Sequence, residues 1–461
     1  MLSLKLLKDK ETMDKIKILA IPSIVEQALA TVVMYVDTAM VGAIGVNASA
    51  AVGITSTFNW LVHAPLWGFG VGFLAVISQS LGARETARAK GAAIHAIYAS
   101  IVIGLIMMVF TLAISPYLPI WLGAEAAVAK DASIYFAIIM APMLFRTFSI
   151  LFGSVLRAAG DTRTPMVVNV IVNLINIVLN FFLIGETFVF EFNEISMTVM
   201  RAGWGVVGAA TATAISVTIG GILMFVAYLK NGELSCVGEK LFFDKNLMKS
   251  IITIGFPVTM ERITHLSGQV VFTSLVAKLG TISMAAHTIA LTAEEAFYIP
   301  GYGMQAAAST LAGNAVGEQD EEKLMNHSKT IILLAALAMT VMGSILFIFA
   351  SMIMSMFTPD AEVIARGAMA LRIVAVSEPI FGVLVILEGV FNGVGDTKVP
   401  FIVSTSTMWG IRLLFTYIAI VYLHFGLNAV WTCMVIENVV RCIIYVLRFT
   451  NVKWRRHYIK A

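Results

Sequence analysis

Four asparagines, Asn169, Asn173, Asn176 and Asn180, recur at helical spacing inside the apolar run NVIVNLINIVLN. At 100° per residue they fall within an arc of about 60° on one helix face. An amide stripe facing lipid would leave its donors and acceptors unsatisfied, so it must face protein or a water-filled cavity. Asp37 stands alone among apolar neighbours in TVVMYVDTAMVG. A carboxylate at the centre of a membrane-spanning helix costs ~2.5–3.5 kcal/mol, so the default reading is functional. Glu26 precedes it by three helical turns and shares its face. One carboxylate with amide oxygens is hard-oxygen chemistry, suited to Na⁺ or to a proton. The alternative is a hydrogen-bond network that only joins helices.

The second half of the chain has acids of its own. Glu261 lies in FPVTMERITHLSG, with Thr264 and His265 on its face. Glu294 and Glu295 lie in LTAEEAFYIPGYG, Glu378 opens SEPIFGV, and Glu388 follows about three turns later. Arg146, Arg262, Arg372, Arg412 and Arg441 also fall inside apolar runs, so structural ion pairs are the competing reading for these acids. The histidines show no HExxH or other metal-ligand spacing, and no metal site beyond the possible Na⁺ ligands is expected. No Walker motif and no GxSxG nucleophile turn occurs, which leaves ATP drive and enzyme chemistry without support.

The elements that must hold these residues are membrane spans. Hydrophobic residues make up 59% of the 461-residue chain and charged residues 13%, against roughly 25% charged in a soluble domain. A net charge of +3 does not suggest nucleic acid, and the 3 cysteines make no disulfide framework. Runs of about 20 apolar residues give twelve spans at 17–44, 49–81, 90–115, 131–155, 166–186, 203–229, 248–278, 284–316, 326–350, 363–391, 400–423 and 427–449. No short apolar region with a small-residue cleavage site opens the chain, so the first span is expected to be retained. Lys and Arg concentrate at both termini and in the even-numbered connections, which places N- and C-termini in the cytoplasm by the positive-inside rule.

The chain repeats. GDTRTP at 160–165 returns as GDTKVP at 395–400, and the same offset pairs Pro22 with Pro257, Glu26 with Glu261 and Gly45 with Gly280. It also pairs Pro65 with Pro300, Gly68 with Gly303, Gln79 with Asn314 and Gly82 with Gly317. The register slips after the fifth span, where GETFVFEFNEISMTVMRAGWG makes a longer outside loop. Each half has an even number of spans, so the halves lie the same way up, with a cavity expected between them. The expected division is an N-lobe at 1–229, a cytoplasmic linker at 230–246 and a C-lobe at 247–461. The twin Gly-Asp-Thr segments read as turns that mark the fold rather than the mechanism.

These residues resemble the multidrug and toxic compound extrusion (MATE) family, within the superfamily that also holds oligosaccharidyl-lipid and polysaccharide flippases. The likeness is carried by Pro22 with Glu26 and Pro257 with Glu261, by VDTAMVG, by the Gly-Asp-Thr turns and above all by AAHTIALTAEEAFYIPGYGMQAAASTLAGNAVG at 285–317. It covers essentially the whole chain and implies an all-α polytopic protein of twelve helices in two pseudo-symmetric six-helix bundles. It also implies exchange of Na⁺ or H⁺ for amphipathic, often cationic organic compounds. By this resemblance Asp37 matches the first-span acid of the N-lobe cation site, Asn176 its fifth-span asparagine and Thr213 its sixth-span threonine, with Ala209 a turn earlier as a carbonyl ligand. Asn180 stands where many relatives carry a second aspartate. Glu261 matches a seventh-span acid and Glu295 an eighth-span glutamate of one branch. The tenth-span aspartate of some relatives falls at Phe381, one turn from Glu378.

The resulting expectation is a cation-coupled exporter, with Asp37, Asn176, Asn180, Thr213, Ala209 and Glu26 as the coupling set. Glu261, Thr264, His265, Glu295 and Glu378 are expected to serve substrate binding or coupling in the second lobe. It needs no cofactor beyond the coupling ion, takes small organic substrates, contacts membrane lipid and not nucleic acid, and acts as a monomer in the plasma membrane. The alternative is a flippase for a lipid-linked saccharide, which should show a strongly cationic cleft; here in-membrane acids outnumber bases.

Overall fold

The computed structural model describes residues 9–192, 195–240, 242–451 and Trp454. Twelve helical spans run through them. In the first half these are α1 (Lys10–Gly42), α2 (Val46–Gly82), α3 (Thr86–Ile114), α4 (Ala126–Met140 and Met143–Ala158), α5 (Arg163–Ile184) and α6 (Gly205–Leu229). The second half holds α7 (Lys245–Ala277), α8 (Thr281–Glu295 and Ile299–Gly317), α9 (Glu321–Ser355), α10 (Ala361–Ala375 and Glu378–Val394), α11 (Lys398–Thr407 continuing to Tyr422) and α12 (Leu427–Thr450). Eight of these helices are long and apolar enough to cross a membrane, and the bent pairs in α4 and α10 bring the number to 10. α7 and α8 carry more polar residues, Glu261, Arg262 and His265 in one and Glu294 and Glu295 beside a break in the other.

The loop after α5 is not irregular. Glu186–Phe192 (β1) and Ile195–Ala202 (β2) pair antiparallel into a two-stranded ribbon. Alternation in TFVFEF and ISMTVM is the signal for strands. It fixes one end of the bundle, here the hairpin end; the other is the terminal end, where α1 starts and α12 finishes.

Repeat-related residues do related work. Asp9 caps α1 and Asp244 caps α7 by accepting from backbone N–H groups. In each Gly-Asp-Thr turn the glycine takes a positive φ (82° at Gly160, 89° at Gly395), open to a residue without Cβ. Each threonine then ties its turn to the first helix of its half, Thr162 donating to the Ile18 carbonyl at 3.1 Å and Thr397 to that of Ile254 at 2.8 Å. The turns are therefore structural. They differ at the aspartate: Asp161 accepts from the Thr164 N–H, whereas Asp396 accepts from Arg448 and Trp454.

Where the halves meet, the contact is reciprocal. A Cβ on Gly68 would overlap Thr259, and one on Gly303 would overlap Ile24. A Cβ on Gly82 would overlap the Asn314 carbonyl, and one on Gly317 the Gln79 carbonyl. These partners are each other's repeat mates, as in the self-complementary contact of a two-fold dimer. All lie in the terminal-end portions of α1, α2, α7 and α8, so that end is closed by backbone-to-backbone packing that tolerates no side chain. Nearer the hairpin end, Tyr35 of α1 donates to the Thr292 carbonyl of α8 at 2.7 Å. Gly82→Ala and Gly317→Ala should each destabilise the protein by about 1–3 kcal/mol, the usual cost of overpacking, and by similar amounts. Thermal unfolding in detergent checks this; unequal or negligible losses would mean that the seam is not reciprocal.

Candidate functional site

α1 and α5 pack side by side, and the asparagine stripe of α5 faces α1 at two levels. Asn169 donates to Glu26 Oε1 at 2.7 Å, and Arg157 of α4 donates to the same oxygen at 2.6 Å. Glu26 is therefore an ion-paired, half-buried residue near the terminal end. Three turns further along α1, Asn180 donates to Asp37 Oδ1 at 2.7 Å and contacts Asn176 Oδ1 at 3.1 Å. Asn176 lies 3.3 Å from Thr213 Oγ1 of α6. Asn176 and Asn180 are buried, and Asp37 and Thr213 are half-buried.

The partners of the Asn176 amide favour its nitrogen facing the Asp37 carboxylate. With its nitrogen turned to Asp37 it donates to Oδ1 at 2.9 Å and Oδ2 at 3.2 Å. With its oxygen turned there instead, three oxygens would converge at those distances, which is repulsive unless a proton or cation lies among them. Asn180 Oδ1 is also buried without a partner. Carboxylate, amide and hydroxyl oxygens from α1, α5 and α6 suit a small hard cation. Among the described residues no group of three or more His, Cys, Asp or Glu could hold a metal ion, so one negative charge is what the site offers. Ala209 lies a turn from Thr213, with its side chain packed among Val41, Ala48 and Ile184. Asn173 keeps a half-buried place between the two levels.

The second half pairs most of its charges. Glu437 of α12 is held by Arg412 at 2.6 Å, Arg441 at 3.3 Å and the Thr407 hydroxyl at 2.8 Å. Arg262 lies 3.6 Å from Glu388, which also accepts from Gln305 at 3.2 Å. Glu261 is buried against Glu388, Arg262, Arg441 and Ser404. Thr264 hydrogen-bonds Thr405 at 2.9 Å, and His265 sits among Arg412, Arg441 and Glu437. The carboxyl that meets Glu378 is that of Glu294, not Glu295. Glu378 is fully buried and neither of its oxygens has a partner, while Glu294 accepts from Tyr298. Glu295 is exposed at the α8 break, within electrostatic reach of Tyr35.

Sequence reasoning passed over Glu437, although its spacing to Arg441 is the ordinary helical ion-pair signal. It also missed Arg157 as the partner of Glu26, because no local pattern links them. Two clefts open at the hairpin end, at the repeat-related turns of Gly45 and Gly280. The first, of about 460 Å³, is lined by Asp131 and Trp204 among others, and the second, of about 620 Å³, by Thr281 and Met284; neither includes Asp37.

Twelve helical spans in two repeated halves define an all-α polytopic membrane protein. The chain belongs to the MatE family, whose model matches it twice, at residues 22–182 and 257–418. The two matches begin at Pro22 and Pro257, in register with the internal repeat. Among curated proteins it is similar to a probable multidrug resistance protein NorM of Thermotoga maritima, with 26% identity over 95% of this chain and 92% of the relative. It is also similar to the multidrug resistance protein NorM of Photobacterium profundum, with 27% identity over 87% and 86% of the two chains. Among solved structures it superimposes on a MOP superfamily transporter from Pyrococcus furiosus with a TM-score of 0.86 and 25% identity, covering 98% and 96% of the two chains. The fold also matches an outward-facing MATE family multidrug resistance transporter, with a TM-score of 0.85 over 99% and 98% of the chains. These relatives are transporters and not enzymes.

Proposed function

We propose that this chain is a cation-coupled antiporter that exports amphipathic, often cationic organic compounds across the cell membrane, a multidrug efflux protein driven by Na⁺ or H⁺. The observation that carries this reading is the convergence of Asp37, Asn176, Asn180 and Thr213 on one point within the membrane. Similarity to proteins named for multidrug resistance supports the substrate class. A solved relative is described as having a binding pocket of reversed polarity, so substrate charge has to be argued from this chain's own residues.

In this reading the lobes are residues 1–229 and 247–461, joined by 230–246, and both termini are cytoplasmic. The terminal end is then the cytoplasmic end. Packing closed there by Gly68, Gly82, Gly303 and Gly317 corresponds to an outward-open state. The coupling cation enters from outside and joins the Asp37 oxygens, which holds the Asn176 amide with its oxygen inward. That changes how α1 and α5 pack and weakens the hold on the organic substrate. Reciprocity requires the substrate to lower cation affinity by the same factor. The second-half residues Glu261, Thr264, His265, Glu295 and Glu378 serve as a further binding or coupling set, and the working unit is the monomer.

The test is exchange in proteoliposomes, with an outward Na⁺ gradient and an outward H⁺ gradient applied separately. Either gradient should drive accumulation of a fluorescent organic cation against its own gradient. No response to either gradient, with scrambling of a labelled lipid-linked saccharide instead, would replace this reading by that of a flippase.

A further inference from the structure

Four arginines within the helices have carboxylate partners: Arg157 with Glu26, Arg262 with Glu388, and Arg412 and Arg441 with Glu437. Arg146 does not. Its side chain makes no hydrogen bond or ion pair with any described residue, and its Nε is shielded from solvent without a partner. The groups acting on it electrostatically include Tyr135 and His63 but no carboxylate. Asp37 acts on Tyr135 and not on Arg146.

Its position favours a ligand over lipid. Ile150 and Ser154, one and two turns further on, face Gly70 of α2, so Arg146 at the same helical spacing faces α2 as well. His63 of α2 is 6% exposed, and its Nε2 has no partner. Arg146 also sits in the first turn of Met143–Ala158, just past the break where α4 bends by 48°. A half-helix N-terminus inside a membrane carries positive partial charge and is a place where transporters hold anionic substrate groups. At the matching break in α10, which bends by 55°, the first residue is Glu378. The two breaks thus carry opposite charge.

We propose that Arg146, with His63 and the broken N-terminus of α4, binds the anionic group of the transported compound, a carboxylate or similar singly charged oxyanion. Compounds carrying a negative group beside an amine are then better substrates than simple cations. This rests on the reading of the chain as an exporter of small organic compounds and narrows its substrate class.

The experiment compares a fluorescent aryl compound bearing a tertiary amine and a carboxylate with its methyl ester, in the same gradient-driven proteoliposomes. The wild type should take the acid at least about tenfold better than the ester, as expected for a charge-assisted guanidinium–carboxylate pair. In Arg146→Gln the acid-to-ester ratio should fall to about one, and in Arg146→Lys it should stay above one. A ratio is read, so a general loss of activity does not obscure it, and the wild-type preference stands as a test even if Arg146→Gln fails to fold. No preference in the wild type, or an unchanged ratio in Arg146→Gln, overturns the proposal. Gradient-driven uptake of the ester in the wild type keeps the antiporter reading intact in that event, whereas its absence counts against that reading instead.

Discussion

Asp37→Asn should abolish gradient-driven efflux and leave the protein folded in its membrane. The substitution keeps the shape of the side chain. One turn of the new amide lets its oxygen go on accepting from Asn180, which now donates to Asp37 at 2.7 Å. What disappears is the negative charge among Asn176, Asn180 and Thr213, all of them neutral. A site of amides and a hydroxyl has nothing to neutralise, so cation arrival no longer changes the packing of α1 against α5. The measurements are uptake of a fluorescent organic cation under Na⁺ and pH gradients, together with thermal unfolding in detergent. Uptake should fall to the level of empty liposomes, with unfolding close to that of the wild type. Uptake at the wild-type rate would remove Asp37 from the mechanism. Loss of folding as well would make the aspartate a structural residue. Asn180→Asp is the complementary change: it places a second carboxylate against the first and should alter which ion drives transport.

Most of the fold could be read from the chain because its signals are long and one-dimensional. Spans declare themselves by apolar length, and the two halves by a constant offset that reaches down to single glycines and caps. The ribbon at Glu186–Ala202 was passed over because its alternating pattern lies between two spans and reads as loop when only apolar length is counted. The site was legible only where helical geometry carries it. The spacing of Asn169, Asn173, Asn176 and Asn180 put four amides on one face, yet nothing in the sequence says that the stripe meets Glu26 at one level and Asp37 at another. That depends on how α1 crosses α5. The same limit explains why Glu294 rather than Glu295 meets Glu378: neighbouring residues on a helix point about 100° apart, and the break at Ala296–Tyr298 decides which one turns inward. Arg146 shows the converse. Its presence in a span was plain, but its lack of a partner is a statement about every other helix.

Glu437→Leu should be among the most destabilising single changes in the protein, at about 3–5 kcal/mol. Glu437 is 1% exposed and Arg412 6%, so neither charge can turn to water when its partner is removed. The carboxylate holds Arg412, Arg441 and the Thr407 hydroxyl together. Arg412 lies in the stretch Met408–Leu413, where α11 loosens into π-helix, so the triad also pins a weakened part of α11 against α12. Exposed pairs such as Lys15–Glu11 should by contrast contribute little, because water screens them. A buried ion group costs much to break yet little to replace as a whole. Glu437→Leu combined with Arg412→Met and Arg441→Met should therefore recover most of the stability lost by the single change, as read by thermal unfolding in detergent. A single-mutant loss no larger than that of an exposed pair would mean that the triad is solvated. Recovery of stability in the triple mutant with gradient-driven transport retained would mark Glu437 as an acid that shapes the lobe. Recovery of stability without transport would instead place the triad in the path of the transported compound.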